Sequence, residues 1–507
     1  MLSYFYPIKL NSILRIITII YLIFWTYLVL LISKNNWCVA FNDFFGFSNS
    51  NLVSFYKNSF WPSGYPLLLK TSELFTDDKL LAGRSISLIS TFIILVYFYK
   101  IFRHNYEIFS LTTIIIFLSS NFYIFANCEC SDVTGTMFFC LGLLNTYLFI
   151  NTNKALNLVF GATLYGFSCC FRHQYLIPGI IALLVTVVIH FKYLNKKDFI
   201  NCLLFFLIGI SPHAIPSLIH NGTIFSTSHA SNLLFATLPK NHQTFGIGMM
   251  DIMKQNISSF ELFTDFGFVK AFFRNYIGNI IDFITQTIPG HVISYFAFGG
   301  VIFLFTNRKY KLLKFLFFLY LSFVMTVSVF KFDIRYYLPL IPVSCLLSSY
   351  FIFSVYNSFK SKIQQYIFIF ISLCILISPP FWSIYRGLLH NPKLPWLQTP
   401  IEVQNQLQSI GYEKADQVLS FSHHFHDTHS QSKQRYRIPW LKPNFSGFNS
   451  TLEILNFCEK EDIKFIVYHD IPSTISEVRG LNRQILLELE DNASLKLSTS
   501  HYTILKI

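Results

Sequence analysis

Along most of the chain, apolar residues fall into runs of about twenty, separated by short polar segments. A helix needs about 20 mainly apolar residues to cross the hydrocarbon core of a bilayer. The pattern therefore predicts eleven membrane-spanning helices, at 13–33, 80–99, 108–126, 133–150, 156–171, 175–191, 199–217, 290–306, 313–330, 338–356 and 366–385. Because no small-residue cleavage site follows the first run, we interpret it as an anchor and not as a removable signal peptide.

The pattern changes after about residue 385, where charge rises and the apolar runs shorten. Strand patterns occur at 417–422, 464–470, 495–501 and 502–507, and amphipathic helical patterns at 451–461 and 475–490. We predict an α-helical polytopic membrane protein with a small C-terminal α/β domain outside the membrane. The predicted division is a transmembrane domain over 1–385 and an α/β domain over 386–507.

Composition supports the membrane interpretation. Charged residues make up 13% of the 507 positions and the mean hydropathy is +0.46, whereas soluble domains carry about 25% charged residues. The net charge of +13 could indicate nucleic-acid binding. Because the basic residues lie in short loops between apolar runs, we instead expect a lipid bilayer as partner and no nucleic acid.

These basic residues occupy alternate loops, which orients the chain. They are Lys9 and Arg15, then Lys100 and Arg103, Lys154, Lys192, Lys196 and Lys197, Arg308, Lys309, Lys311 and Lys314, and Lys360 and Lys362. The positive-inside rule then predicts a cytoplasmic N-terminus and an extracytoplasmic C-terminal domain. We expect a multi-pass protein of a bacterial inner membrane with a periplasmic C-terminal domain. A eukaryotic lumenal face is the alternative.

Polar residues of unusual type collect at the span ends on the predicted outer face. Asp43 lies between phenylalanines after the first span, and Glu129 and Asp132 lie between the third and fourth. Arg172 follows the fifth span, and Arg335 lies between the ninth and tenth. Each could be an ordinary interfacial anchor. Arginine on the outer face, however, runs against the charge rule, and the joint pattern favours a site.

This set of residues suits group transfer from a lipid-linked phosphate. A carboxylate can accept the proton of an attacking hydroxyl, and arginine can hold and neutralise a phosphate leaving group. The spans themselves show few ionisable groups, which disfavours a transporter or proton pump. Sugars carried on polyprenyl phosphate are the donors that such a site predicts.

The motifs of these segments resemble the motif series of GT-C fold glycosyltransferases, the bacterial relatives of protein mannosyltransferases and aminoarabinose transferases. The motifs are FNDFFGFSN, FWPSGYPLLLK, AGRSISLIS, SDVTGTMFF, FRHQYL and IRYYLPLIP. The resemblance covers roughly residues 10–385 and extends to the domain organisation, because these enzymes also end in a small α/β domain.

The resemblance implies a role for each matched residue. Asp43 would be the base on the acceptor, and Asp132, with Glu129 nearby, would help to place the acceptor or a metal. The basic positions near the donor phosphate would be Arg172 and Arg335, with Tyr336 as a companion hydrogen-bonding group.

Arg84, at the predicted outer start of the second span, also matches a phosphate-binding position, with helix packing or anchoring as the alternative.

In one segment the chain departs from the resembling family, and this departure leaves the identity of the sugar and of the acceptor open. Relatives often have Lys-Pro-Pro-Leu where this chain has Trp-Pro-Ser-Gly-Tyr-Pro at 61–66, so the phosphate-side lysine is absent there. Lys57, Lys70 or Lys79 could replace it.

A histidine-rich segment is a competing candidate for metal binding. His423, His424, His426 and His429 lie within seven residues, beside Asp427. Imidazole and carboxylate groups at this spacing suit zinc or copper, but without a second cluster we favour a solvated loop. The sequence assigns no cofactor and leaves a divalent metal open.

The sequence therefore predicts a membrane glycosyltransferase, with an inverting transfer and a carboxylate general base. The donor would be a polyprenyl-phosphate sugar, and the acceptor a lipid, a glycan or a protein. Two alternatives remain: an envelope polysaccharide polymerase or ligase, and a lipid-linked-sugar flippase or transporter.

Overall fold

The computed structural model describes most of the helical part of the chain and parts of its C-terminal region. The described residues are 62–76, 79–119, 130–222, 266–285, 291–329, 334–389, 395–421, 450–469, 483–499 and 502–507, with Ile19, Ile23, Phe122, Phe125, Ala126, Ile224 and Phe448 as isolated positions.

Helices dominate these residues. They are α1 (Gly64–Ser72), α2 (Lys79–Phe102), α3 (Tyr106–Leu118), α4 (Ser131–Thr152), α5 (Ala155–Cys169), α6 (Leu176–Ile189), α7 (Lys196–Asn221), α8 (Phe266–Thr285), α9 (His291–Thr306), α10 (Tyr310–Val329), α11 (Leu340–Ser358), α12 (Lys362–Leu389), α13 (Pro395–Ser409), α14 (Thr451–Lys460) and α15 (Arg483–Asn492). Short 3₁₀ turns lie at His173–Tyr175 and Ile334–Tyr337, before α6 and α11.

The fold class is the one that the sequence predicts. Among the described residues, five helices are long and apolar enough to cross a membrane, and five shorter apolar helices accompany them. Together they coincide with the second to eleventh predicted spans. The first predicted span, at 13–33, lies almost wholly outside the described residues. The protein is an integral membrane protein with a helical bundle.

One predicted span is interrupted. The third was placed at 108–126, but α3 ends at Leu118 because Ser119 takes an extended conformation (φ −73°, ψ 105°). The apolar pattern continues beyond that residue through Phe122, Phe125 and Ala126, so hydropathy alone could not locate the break.

Glycines set the closest helix contacts in the bundle. A Cβ on Gly166 of α5 would lie 2.3 Å from the carbonyl oxygen of Phe206, and one on Gly209 of α7 would lie 2.2 Å from that of Thr163. The backbones of α5 and α7 therefore touch at this crossing, as membrane helices do where small residues meet. The crossing lies one turn before the end of α5, so it fixes the turn that follows.

The C-terminal region contains a four-stranded sheet of strand order β1-β2-β4-β3. The strands are β1 (Val418–Ser420), β2 (Phe465–His469), β3 (Leu495–Ser498) and β4 (Tyr502–Lys506). Strands β1 and β2 pair in parallel, and β4 pairs antiparallel with both β2 and β3. All four predicted strands are present, and α14 matches the predicted helix at 451–461. Of the helix predicted at 475–490, α15 covers the part that the structure describes.

Candidate active site

A buried ion pair lies at one end of the bundle. Asp132 stands in the first turn of α4, and Arg172 follows the last turn of α5; the Arg172 Nη2 atom donates to Oδ2 of Asp132. The side chains are 0% and 6% exposed. A helix N-terminus favours a carboxylate, because its unpaired N–H groups carry partial positive charge. The pair defines what we call the Asp132 end of the bundle.

Burial of this pair is expensive, which makes its second carboxylate oxygen informative. Removing two charges from water costs several kcal/mol per ion, and the attraction between them offsets only part of this desolvation free energy. Among the described residues, no group donates to Oδ1 of Asp132. A buried acceptor without a donor costs about 1–3 kcal/mol, so Oδ1 is a place where a donor such as a hydroxyl would be stabilising.

The turn between α5 and α6 packs tightly against α4 beside the pair. A Cβ on Gly135, one turn after Asp132, would lie 3.0 Å from the ring of Tyr175. The hydroxyls of Tyr175 and Thr136 are 3.2 Å apart, and the Phe138 and Phe171 rings stack with centroids 5.3 Å apart. The small Gly135 thus admits the turn that carries Arg172.

The segment before α2 closes another side of this end. The Gly64 amide donates to the Cys170 carbonyl at 2.8 Å. Tyr65, Leu69, Ala82, Cys170 and Phe171 form a separate apolar cluster. The cluster joins α1, the start of α2 and the end of α5.

Arg84 belongs to the same region. It lies on α2, two residues beyond Ala82, and is 2% exposed. Ser90, further along α2, shares a 3.1 Å hydrogen bond with Thr134, two residues beyond Asp132. The predicted phosphate-binding Arg84 is thus a buried cation on a helix packed against α4.

Arg335 and Tyr336 lie half-buried in the 3₁₀ turn before α11. The carbonyl of Pro339, two residues after this turn, accepts from the Cys140 thiol of α4 at 3.7 Å. On α10, which leads into it, Phe323 contacts the Tyr175 ring with centroids 6.2 Å apart. The residues just after the turn therefore pack against α4 at Cys140, near the middle of that helix.

A pair of histidines lies on the other side of Arg172. The Nε2 atoms of His173 and His213 are 2.9 Å apart. Nδ1 of His213 accepts from the Ser63 amide at 3.3 Å and lies 3.2 Å from the Ser63 hydroxyl. Ser63, in the segment that departs from the resembling family, is thus bonded to His213 of α7.

Sequence reasoning missed His213. It lies within the predicted span 199–217, and the sequence analysis treated the spans as poor in ionisable groups. The overlooked signal was the segment Ser211-Pro212-His213, where an ionisable residue stands beside a proline in an apolar helix. Pro212 has no N–H for the Ile208 carbonyl, and the Ser211 hydroxyl bonds that carbonyl instead, at 2.8 Å.

Several predicted site residues lie outside the described residues. These are Asp43, Glu129 and the histidines His423, His424, His426 and His429. Of the lysines considered as replacements at 61–66, Lys70 forms an ion pair with Glu73 in which the lysine side chain is 59% exposed. Lys70 therefore does not belong to the buried site.

Within the described ranges, no three His, Cys, Asp or Glu side chains are grouped closely enough to hold a metal ion. The chemistry that these ranges offer is that of a carboxylate, arginines and imidazoles. Such a set can accept a proton and bind an anion.

The fold has a known counterpart. The crystal structure of ArnT from Cupriavidus metallidurans in the apo state superposes with a TM-score of 0.51 at 10% sequence identity, covering 95% of this chain and 97% of that one. The match establishes a common fold, the GT-C type. No protein-family model matches the chain, and no curated protein matches it by sequence.

Proposed function

We propose that the protein is a membrane glycosyltransferase which moves a sugar from a polyprenyl-phosphate donor to an acceptor hydroxyl on the extracytoplasmic face. The observation that carries the proposal is the buried Asp132–Arg172 pair at one end of a bundle with the ArnT fold. The acceptor class is a lipid, a glycan or a protein.

The proposed reaction is a single in-line displacement. Asp43 takes the proton of the acceptor hydroxyl, whose oxygen attacks the anomeric carbon and inverts it. The bond between that carbon and the phosphate oxygen breaks, and the bonding electrons leave with the phosphate. Arg172 and Arg335 stabilise the negative charge of the departing polyprenyl phosphate, because guanidinium groups bind phosphate oxygens through several N–H donors.

In this proposal Asp132 has two tasks. Its Oδ2 atom orients Arg172 through the ion pair. Its Oδ1 atom, which has no donor among the described residues, accepts a hydrogen bond from a second O–H or N–H group of the acceptor and so aligns the attacking hydroxyl, whose own proton goes to Asp43. Arg84 and Tyr336 would complete the phosphate side, and Glu129 would support Asp132.

The first test uses full-length protein in nanodiscs with a panel of polyprenyl-phosphate sugars. Wild-type protein should consume one of these donors, and Asp43→Asn should lower the rate by about 10²–10⁴, the usual contribution of a general base. Donor consumption that survives Asp43→Asn would keep the glycosyltransferase and move the base to Asp132 or Glu129.

A result with no donor consumed would favour the alternatives. A flippase would move a lipid-linked sugar across a vesicle bilayer without breaking the phosphate–sugar bond. A polymerase or ligase would consume a lipid-linked oligosaccharide while leaving monosaccharide donors untouched. Assays of translocation and of oligosaccharide transfer with the same preparation separate the two.

A further inference from the structure

Two consecutive side chains in the turn after α5 reach different helices. Arg172 bonds Asp132 on α4, and His173 bonds His213 on α7. The Gly166–Gly209 crossing holds α5 against α7 just before this turn. The Cys170 thiol adds a 3.4 Å contact to the Gly209 carbonyl. His173 is therefore adjacent in the chain to Arg172 of the buried ion pair, and its hydrogen bond to His213 attaches it to α7.

The hydrogen bonds around His213 determine its tautomer. A backbone N–H can only donate, so the Ser63 amide makes Nδ1 of His213 an acceptor. A neutral His213 then carries its proton on Nε2. This atom lies 2.9 Å from Nε2 of His173 and 3.2 Å from the Ile224 carbonyl.

With the proton of His213 on Nε2, a second hydrogen does not fit between Nε2 atoms 2.9 Å apart, so Nε2 of His173 carries none and can accept. The Ile224 carbonyl also accepts from the Ser217 hydroxyl at 3.1 Å. When His213 donates to Nε2 of His173, the proton of His173 must be on Nδ1, because a neutral imidazole carries only one. His213 thus fixes the tautomer of a half-buried histidine, while itself being only 4% exposed.

We propose that His173 contacts the phosphate of the lipid-linked donor through its Nδ1–H group, and that His213 is the positioning residue that fixes this tautomer. The inference rests on the proposed function, which places the donor phosphate at Arg172. Asp132 neutralises much of the charge of Arg172, so a further N–H donor next to that arginine strengthens phosphate binding. His213 also bonds Ser63, which belongs to the part of the sequence that lacks the lysine of the resembling family.

Another buried histidine provides a matched control. His190 ends α6, at the opposite end of that helix from His173, and is 1% exposed. It packs edge-on against Phe149 with ring centroids 5.4 Å apart. Neither of its ring nitrogens has a hydrogen-bond partner among the described residues. Its replacement changes a buried imidazole without touching the Asp132 end.

The experiment measures binding of undecaprenyl phosphate to full-length protein in phosphatidylcholine nanodiscs. His173→Ala should weaken binding about tenfold or more, the effect of a lost hydrogen bond to a charged group. His213→Ala should weaken it less, and His213→Gln should restore it, because the glutamine amide can donate near the Nε2 position. His190→Gln should leave binding unchanged.

Kinetics with a consumed donor separate positioning from a structural role. His213→Ala should raise the KM for the donor and preserve kcat. A lower kcat at unchanged KM would mean that His213 only supports the fold and would overturn its assigned role. Undecaprenol, which has no phosphate, should not compete. Phosphatidic acid should compete weakly, and competition equal to that of undecaprenyl phosphate would overturn the polyprenyl assignment.

The failures of the inference and of the proposed function are distinguishable. If wild-type protein binds undecaprenyl phosphate and His173→Ala binds it equally well, the inference is wrong and the proposed function stands. If wild-type protein neither binds undecaprenyl phosphate nor consumes any polyprenyl-phosphate sugar, both are wrong.

Discussion

Two ion pairs of this chain lie in opposite surroundings. Asp132 and Arg172 are 0% and 6% exposed at one end of the bundle, whereas Glu490 and Lys496 are 21% and 43% exposed on the C-terminal sheet region. Exposed pairs contribute about 0–1 kcal/mol. Buried pairs contribute little or nothing beyond what apolar side chains would give in their place, yet breaking one is costly. The buried pair is therefore poorly explained by stability, which directs attention to its chemistry.

Breaking the buried pair should have the largest effect. Arg172→Met leaves Asp132 buried without its cation and should destabilise the protein by about 3–5 kcal/mol. The matched change in the exposed pair, Lys496→Met, should cost at most about 1 kcal/mol. Denaturation of the full chain in detergent, followed by tryptophan fluorescence, measures both. Equal shifts would mean that the buried pair is hydrated and not isolated from water.

Replacing the whole buried pair should separate stability from activity. Asp132→Leu combined with Arg172→Met removes both charges. Since apolar replacements of buried pairs are often neutral or stabilising by about 1–4 kcal/mol, the double variant should be at least as stable as wild type. It should nevertheless consume no donor. A double variant that is stable and active would show that the pair has no part in the reaction.

The sequence predicted each member of this pair but not their contact. Asp132 and Arg172 stand out because charged residues at the ends of apolar runs are visible in hydropathy. Their pairing depends on the Gly135 and Gly166 contacts, which set how α4, α5 and α7 cross. Glycine in an apolar run has many uses, so no pattern along the chain identifies these crossings. The resemblance assigned Asp132 and Arg172 separate roles, and the structure joins them.

The spans and strands were more predictable than the site. The periodicity and length of the apolar runs are enough to place the bundle helices and the four strands, because each run must bury its own apolar residues. His213 escaped notice because one polar residue hardly changes the hydropathy of a 26-residue helix. Its partners, Ser63 and His173, are distant in sequence and meet only in the folded bundle.

Separating α5 from α7 at their glycine crossing should have an intermediate effect on stability and on phosphate binding. Gly166→Ala would place a methyl group 2.3 Å from the Phe206 carbonyl, so α5 and α7 must separate. Overpacking of this kind costs about 1–3 kcal/mol. We expect lower thermal stability and weaker undecaprenyl phosphate binding, because the crossing sets the turn that holds Arg172.

Leu156→Ala is the matched control for that change, since it also introduces alanine into α5. Leu156 is 64% exposed in this structure and lies in the first turn of α5, at the other end of the helix from Gly166. Its replacement should leave phosphate binding at the wild-type value. A loss of binding in both variants would assign the effect to α5 in general and not to the crossing.

The exposed Glu490–Lys496 pair should have the smallest effect, which should appear as a dependence of the stability of the C-terminal sheet region on pH. Partial burial raises the pKa of Glu490, but hydrogen bonds from Lys496 and Tyr468 and the charge of Lys496 outweigh it, so the pKa lies below its usual value. Glu490 therefore stabilises the folded sheet region above the unfolded pKa of about 4.3. This contribution is lost as pH falls through the folded pKa. Hydrogen-exchange protection of β3 and β4 in the full chain, corrected for intrinsic rates, should decrease over this range by about 0.2–1 kcal/mol.

Glu490→Gln should remove part of this dependence, whereas Asp491→Asn, at an exposed neighbour, should preserve it. Added salt tests the contrast between the two pairs. Solvent screens the exposed carboxylate, and 0.5 M salt should reduce its contribution further. Salt should have far less effect on Asp132, which is shielded from solvent. A Glu490 contribution insensitive to salt would mean that Tyr468 and Lys496 hold it by hydrogen bonds and not by charge.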